Sequence, residues 1–470
     1  MVAIQLFNEI GSIFRNTPTY ALVLETLLLI AVIWLLLHRR GAGNSRRRRL
    51  TKEEEDQIIA DYTPEPLVAD TDPNHPLLRT RIVQSKVGKR ITVDGNDCLN
   101  LGSHNYLGFL EDQDILEESC KTLRKYGVGS CGPRGFYGTM DVHLDLEDRI
   151  AKFMGLEEAI VYSYGFSTVA SAIPAYAKRG DIVFVDEAVN FAIQKGLDAS
   201  RSTIAFFKHN DVEDLERLLI EQEKRDQKNP KKALKTRRFL VAEGIYMNTG
   251  EICPLPELVS LRQKYKLRLF IDESISFGTL GKGGRGVTEH FNVDRDEIDL
   301  ISAGMEGSMA TIGGFCVGSH FIAEHQRLSG LGYIFSASLP PMLTQAAISA
   351  LDRFEQEPQI FQQLQDKAKT LHQKFSRFSK LTIRGNELSP VKHLYLATPA
   401  ENYDKELQLL TELADKCIAQ GVAVVQAAYL KDREHQPVRP SIRIAVNRLL
   451  EQTDINAAFD TIESVSSALL

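Results

Sequence analysis

"LRLFIDES", Leu267–Ser274, is the stretch on which the fold turns. Its apolar run is short and is closed by the acidic pair Asp272 and Glu273, as in a strand covered on both faces. Comparable runs precede it, "EEAIVYSYG", "DIVFVDE", "STIAFFKHN" and "RRFLVAEGIY", and two follow, "DLISAG" and "GGFCVGS". Longer helical patterns separate them. Such alternation predicts βαβ units around a mostly parallel sheet, an α/β fold. Asp272 then ends a strand at the carboxyl edge of that sheet, where open α/β sheets bind ligands. A buried carboxylate there can hold the proton of a pyridinium nitrogen; as an alternative, the Asp272–Glu273 pair simply caps the next turn.

Three glycine-bearing segments surround this point. "YSYGFSTVASAIPAY" (Tyr162–Tyr176) places Gly165, Phe166 and Ser167 where a helix can start after a strand, and the bare N–H groups of a helix start suit a phosphate. "FGTLGKGGRG" (Phe277–Gly286) is a glycine-dense loop. "GMEGSMATIGG" (Gly304–Gly314) has the layout of a cofactor loop, yet its centre is Glu306, Gly307 and Ser308. Gly307 offers no amine to a carbonyl.

The chain has 470 residues, enough for one large α/β domain, a smaller one and an extra segment. Its net charge of -6 gives no general attraction to nucleic acid. Six dispersed cysteines without a CxxC pair indicate neither a zinc site nor a disulfide framework, and no metal is expected. From Tyr20 to His38 the run "YALVLETLLLIAVIWLLLH" would span roughly 28 Å as a helix, close to the hydrocarbon thickness of a bilayer. The arginines follow it (Arg39, Arg40, Arg46–Arg49), which favours a single-pass anchor over a signal peptide and puts the rest of the chain on the cytoplasmic side. Glu25 inside the span either meets a second membrane protein or sits near the headgroups.

The expected organisation is an interfacial segment over 1–19, a transmembrane helix over 20–38, and a basic flank, charged helix and proline-punctuated linker over 39–92. A large domain over 93–350 and a smaller C-terminal α+β domain over 351–470 follow. The small domain is built from helices such as "QIFQQLQDKAKTLHQKFSRF" and "NYDKELQLLTELADKCIAQG" around strands such as "SIRIAV".

The segments "YGVGSCGPRGFYGT" (Tyr126–Thr139), "HLDLEDRIAKF", "AEGIYMNTGEICPLPEL", "IDESISFGTLGKGGRGVTEHF", "GGFCVG", "FSASLPP" and "SIRIAV" occur in this order. The ordered set resembles the α-oxoamine synthase family of pyridoxal-phosphate acyltransferases, and over nearly the whole chain its long-chain-base subunit 1 type of serine palmitoyltransferase. The resemblance implies a type I aminotransferase-like fold, a dimer with active sites at the subunit interface, and condensation of serine with palmitoyl-CoA to 3-ketosphinganine in the endoplasmic reticulum membrane. It also places Gly307 at the family's Schiff-base lysine, and Ile275 and Asn190 at two of its histidines; Asp272 alone survives.

A chain so altered has no catalytic residues of its own. The resemblance implies that pyridoxal phosphate is bound covalently by a homologous lysine-bearing partner in a heterodimer, with small membrane proteins as further partners of the N-terminal helix. Ser336 and Ser338 then reach the partner's cofactor phosphate, or else cap the helix starting near Pro340. Cys131, read as a packed small side chain, and Arg134 lie beside the shared active-site mouth. Arg443 matches an arginine for the substrate carboxylate, or is left in an internal ion pair. Two other readings are a membrane scaffold that needs no active site and an independent acyltransferase using another lysine, of which Lys282 is the nearest in sequence.

Overall fold

The computed structural model describes residues 18–43, 50–68, 73, 78–430, 433–435 and 439–470. Residues 1–17 of the expected interfacial segment over 1–19, and the arginine run Arg46–Arg49, lie outside them. The chain divides into two units, residues 1–72 and 73–470.

In the first unit one helix, Thr19–Gly43, extends beyond the expected span. Its segment Thr19–Leu36 has a mean hydropathy of 2.2 and is long and apolar enough to cross a membrane. A second helix, Lys52–Asp61, is the charged one. Thr51 Oγ1 accepts from the Glu54 N–H at 3.2 Å and Glu54 Oε2 accepts from the Thr51 N–H at 2.9 Å, a reciprocal cap that satisfies two helix-end donors.

In the second unit each of the seven apolar runs contains one strand. They are β3 (Glu158–Tyr162), β4 (Ile182–Asp186), β5 (Thr203–Phe207), β6 (Arg238–Glu243), β7 (Arg268–Asp272), β8 (Leu300–Gly304) and β9 (Gly314–Gly318). Their order across the sheet is β3-β9-β8-β7-β6-β4-β5. The strands β5, β4, β6, β7 and β8 are parallel, and β9 runs antiparallel to both β8 and β3. Val183, Leu240, Leu269 and Ile301 in these strands are wholly inaccessible, because helices on the two faces remove both sides of the sheet from water. The alternation implied this mostly parallel α/β sheet, and the resemblance implied its type I aminotransferase architecture.

Two smaller sheets complete the body. β10 (Leu381–Arg384), β11 (Val391–Leu396), β14 (Ile442–Ala445) and β13 (Val425–Gln426) form an antiparallel sheet in that order. β1 (Arg90–Val93) and β2 (Asn96–Asn100) form a hairpin whose second strand pairs in parallel with β12 (Val422–Ala423). The segment just ahead of the large sheet in sequence is therefore hydrogen-bonded to the C-terminal region. All six cysteines are free thiols.

Candidate functional site

β7 carries Asp272 to its carboxyl end, where the carboxylate is buried in the floor of a cavity of about 320 Å³. Both of its oxygens are taken by this chain. Oδ1 accepts from the Ser274 N–H at 3.0 Å and hydroxyl at 2.5 Å, and Oδ2 accepts from Asn190 Nδ2 at 3.1 Å. Asn190 does two further things. Its Oδ1 accepts from the Ile193 N–H at 3.1 Å and so caps the helix Phe191–Ser200, while its own N–H donates to Glu243 Oε1 at 2.6 Å. Glu243 ends β6 directly across from Asp272. Burial holds both carboxyls above their ordinary range, and for Glu243 the neighbouring Asp272 adds to the effect.

The loop after β8 borders the same cavity. Met305 donates its N–H to the Gly313 carbonyl at 2.9 Å and Met309 to the Met305 carbonyl at 3.0 Å, which folds Glu306–Ser308 into a turn. Glu306 Oε1 accepts from the N–H of Gly165, the first residue of the helix Gly165–Tyr176, at 3.0 Å. Solvent reaches this side chain through the cavity mouth, while protein on its other sides desolvates the carboxyl and raises its pKa.

Gly307 faces the ring of Tyr106. A Cβ added at Gly307 would fall 2.6 Å from Tyr106 Cε2. The ring is fully buried, and its hydroxyl lies 2.5 Å from His104 Nδ1. Burial, and then the charge of Arg443, lowers the His104 pKa to about 3, so the imidazole is neutral. Ile275 is buried in the core. His393, on the cavity wall, is held by Ser441 Oγ at 2.9 Å and the Met247 carbonyl at 3.0 Å, and burial lowers its pKa to about 4. Arg443, the cross-strand partner of His393, lines the same wall, with Nη1 4.0 Å from Met247 Sδ. Among the described residues, no lysine lines the cavity, and Lys282 is exposed on its glycine loop.

The remaining residues singled out above gather on one loop system. Arg134 is buried and forms a forked pair with Glu147, Nη1 to Oε1 at 2.8 Å and Nη2 to Oε2 at 2.9 Å, with Nε on Thr139 Oγ1 at 3.0 Å. It braces the 130–139 loop and does not line the cavity. Ser338 is also turned inward: its hydroxyl lies 2.6 Å from both Ser130 Oγ and the Gly138 carbonyl. Ser336 is half-buried. The helix Pro341–Gln356 starts on Pro340 without a side-chain cap, so neither serine caps it. Cys131 is exposed at a φ of 57° rather than packed within this chain. Reasoning from sequence did not find the contacts of Tyr106, Ser274 and Glu306; the asparagine ahead of a helical run in "DEAVN" was a cap signal available to it.

The description "Aminotransferase class I and II" matches residues 96–462. The chain is 42% identical over 415 residues to long chain base biosynthesis protein 1b of Oryza sativa subsp. japonica, covering 88% of this chain and 85% of that one. It is 40% identical over 423 residues to serine palmitoyltransferase 1 of Dictyostelium discoideum, covering 88% and 87%. Among solved structures, a serine palmitoyltransferase from S. paucimobilis with a bound PLP–myriocin aldimine superposes with a TM-score of 0.74 at 26% identity, over 83% of this chain and 93% of that chain. The serine palmitoyltransferase of Sphingomonas wittichii gives 0.74 at 25% identity, over 89% and 96%. With a family model matching residues 96–462 and relatives of this closeness along most of its length, the chain belongs to the class I and II aminotransferase family, among the serine palmitoyltransferase 1 and long chain base protein 1 sequences.

Proposed function

We propose that this chain is the lysine-less subunit of a serine palmitoyltransferase, paired with a homologous subunit whose lysine holds the cofactor. The observation that carries the reading is Gly307. It occupies the position where the family places its imine-forming lysine, and Tyr106 fills the space that any side chain there would enter. The residues of this chain do not fit a covalently held pyridoxal phosphate, because position 307 is a glycine and offers no amine. No step of the condensation is therefore assigned to this cavity. The condensation of serine with palmitoyl-CoA, which releases carbon dioxide and coenzyme A, is completed at the partner's lysine.

What this chain supplies is surface. Phe136, Tyr137, Leu331 and Phe335 are exposed on the loop system that Arg134 and Ser338 hold rigid, and Phe335 keeps 73% of its surface open. Clustered aromatic side chains on a braced loop suit a protein interface. Ser336 is the hydroxyl of the pair left for the partner's cofactor phosphate, and Cys131, exposed on the 130–139 loop, is a contact at the shared mouth. The helix Thr19–Gly43 anchors the subunit in the endoplasmic reticulum membrane with its body in the cytosol, and small membrane proteins dock on that helix.

The test compares the full-length chain alone with the chain co-expressed with a lysine-bearing homologue. Condensation of labelled serine with palmitoyl-CoA and a borohydride-trapped pyridoxyl lysine are expected only from the pair, with the adduct on the partner. Turnover by the chain alone that is lost in Lys282→Ala would instead establish an independent enzyme.

A further inference from the structure

The amide at the start of the helix Gly165–Tyr176 is a place in this cavity where an anion is stabilised. The bare N–H groups and the positive end of a twelve-residue helix meet there. Tyr164, at the cap position, provides no side-chain cap. Glu306 provides the anion. Its Oε1 takes the Gly165 N–H at 3.0 Å, and its carboxylate lies against two glycines that leave it room. A Cβ at Gly165 would come within 2.5 Å of the carboxylate, and one at Gly304 within 2.6 Å. The backbone carrying it is fixed from both sides, by the Met305–Gly313 hydrogen bond and by the Tyr106 N–H, which donates to the Gly307 carbonyl at 3.0 Å.

We propose that Glu306 is a built-in substitute for the cofactor phosphate, so that this chain's own cavity is closed to phosphorylated ring compounds independently of the missing lysine. The proposal rests on the reading of this cavity as the counterpart of the relatives' cofactor site. A phosphate monoester carries a charge of about −1.5 to −2 near neutral pH, and it would have to share one helix start with a carboxylate. Asp272 and Glu434 also line the cavity, so the added anion gains only Arg443 as a counter-charge among the described lining residues. Losing the lysine removes a covalent bond; Glu306 removes the non-covalent seat as well. The two changes act on different atoms of the same ligand.

Pyridoxine 5′-phosphate is the probe, because it has no aldehyde and forms no imine with surface lysines. Its binding is measured by equilibrium dialysis with the full-length chain, unmodified and as Glu306→Ala and Glu306→Gln, alongside phosphate-free pyridoxine. The expected result is at least a tenfold gain in affinity for the phosphorylated probe in Glu306→Ala, a smaller gain in Glu306→Gln, which keeps an acceptor for the Gly165 N–H, and competition by inorganic phosphate. Pyridoxine itself should gain nothing. Equal affinity in all three proteins, an equal gain for pyridoxine, or no gain in folded variants overturns the proposal. Condensation activity of the co-expressed pair is a separate readout, whose absence sinks the subunit reading and leaves this one standing.

Discussion

The ring of Tyr106 occupies the volume into which a side chain on Gly307 would project, 2.6 Å from where its Cβ would lie. The glycine is thus packed against, and restoring a lysine at 307 is a steric problem before it is a chemical one. Gly307→Ala is expected to cost about 1–3 kcal/mol, the usual range for overpacking a filled core, measured by urea unfolding. Gly307→Lys should lose at least as much and should yield no borohydride-reducible pyridoxyl adduct in the chain alone. The losses of Gly307→Ala and Tyr106→Ala should be non-additive, since the two residues share one space.

Arg134 and Glu147 form a buried forked pair, and Glu147 Oε1 also accepts from the Val161 N–H at 2.9 Å. Arg134→Met strands a carboxylate in the interior. It should destabilise by about 3–5 kcal/mol, seen as a lowered thermal midpoint. Arg134→Lys should recover little, because an ammonium cannot reproduce the fork.

Asn190 caps a helix and neutralises one side of Asp272. Asn190→Ala should cost about 1 kcal/mol for the cap. Asn190→Asp keeps a cap acceptor but sets a third carboxyl beside Asp272 and Glu243, both already raised above their ordinary pKa. A carboxyl whose folded pKa exceeds its unfolded value binds more protons in the native state. Stability then falls as pH rises between the two values. The thermal midpoint of Asn190→Asp relative to the unmodified chain should therefore be lower at pH 8 than at pH 5.

Lys392 is fully buried on β11 and donates to the Asn386 carbonyl. Burial lowers its pKa to about 7. For a base depressed in the folded state, the cost of the buried charge is complete below the folded pKa and disappears as pH approaches the unfolded value near 10.5. Lys392→Met should therefore be favoured over the unmodified chain most at pH 6, by on the order of 5 kcal/mol, and less at pH 9. Chemical denaturation at the two pH values measures the difference.

The parallel sheet was legible because its inner strands are covered on both faces and read as unbroken apolar runs. Asp272 was legible for the same reason: it is the polar residue that ends such a run. The β1-β2-β12 sheet was not, because four-residue and two-residue strands carry little periodicity and their pairing is settled far along the chain. The inner ligands of the site escaped for a related reason. Glu306, Asn190 and Tyr106 find Gly165, Asp272 and Gly307 across 141, 82 and about 200 positions, and no local pattern encodes those meetings. Ser338 looked available for a partner only until the 130–139 loop was seen to claim its hydroxyl.

The hairpin β1-β2 leans on residues made near the end of synthesis: Cys98 Sγ lies 3.4 Å from the carbonyl of Ile418, 320 positions later. At ordinary elongation rates that interval is roughly half a minute. The apolar helix Thr19–Gly43 has left the ribosome long before, and during the wait β2 stands with one edge open. A nascent chain with an unpaired strand is the stage at which chaperone protection counts, and truncations upstream of Val422 should be degraded rather than accumulate as a shortened protein.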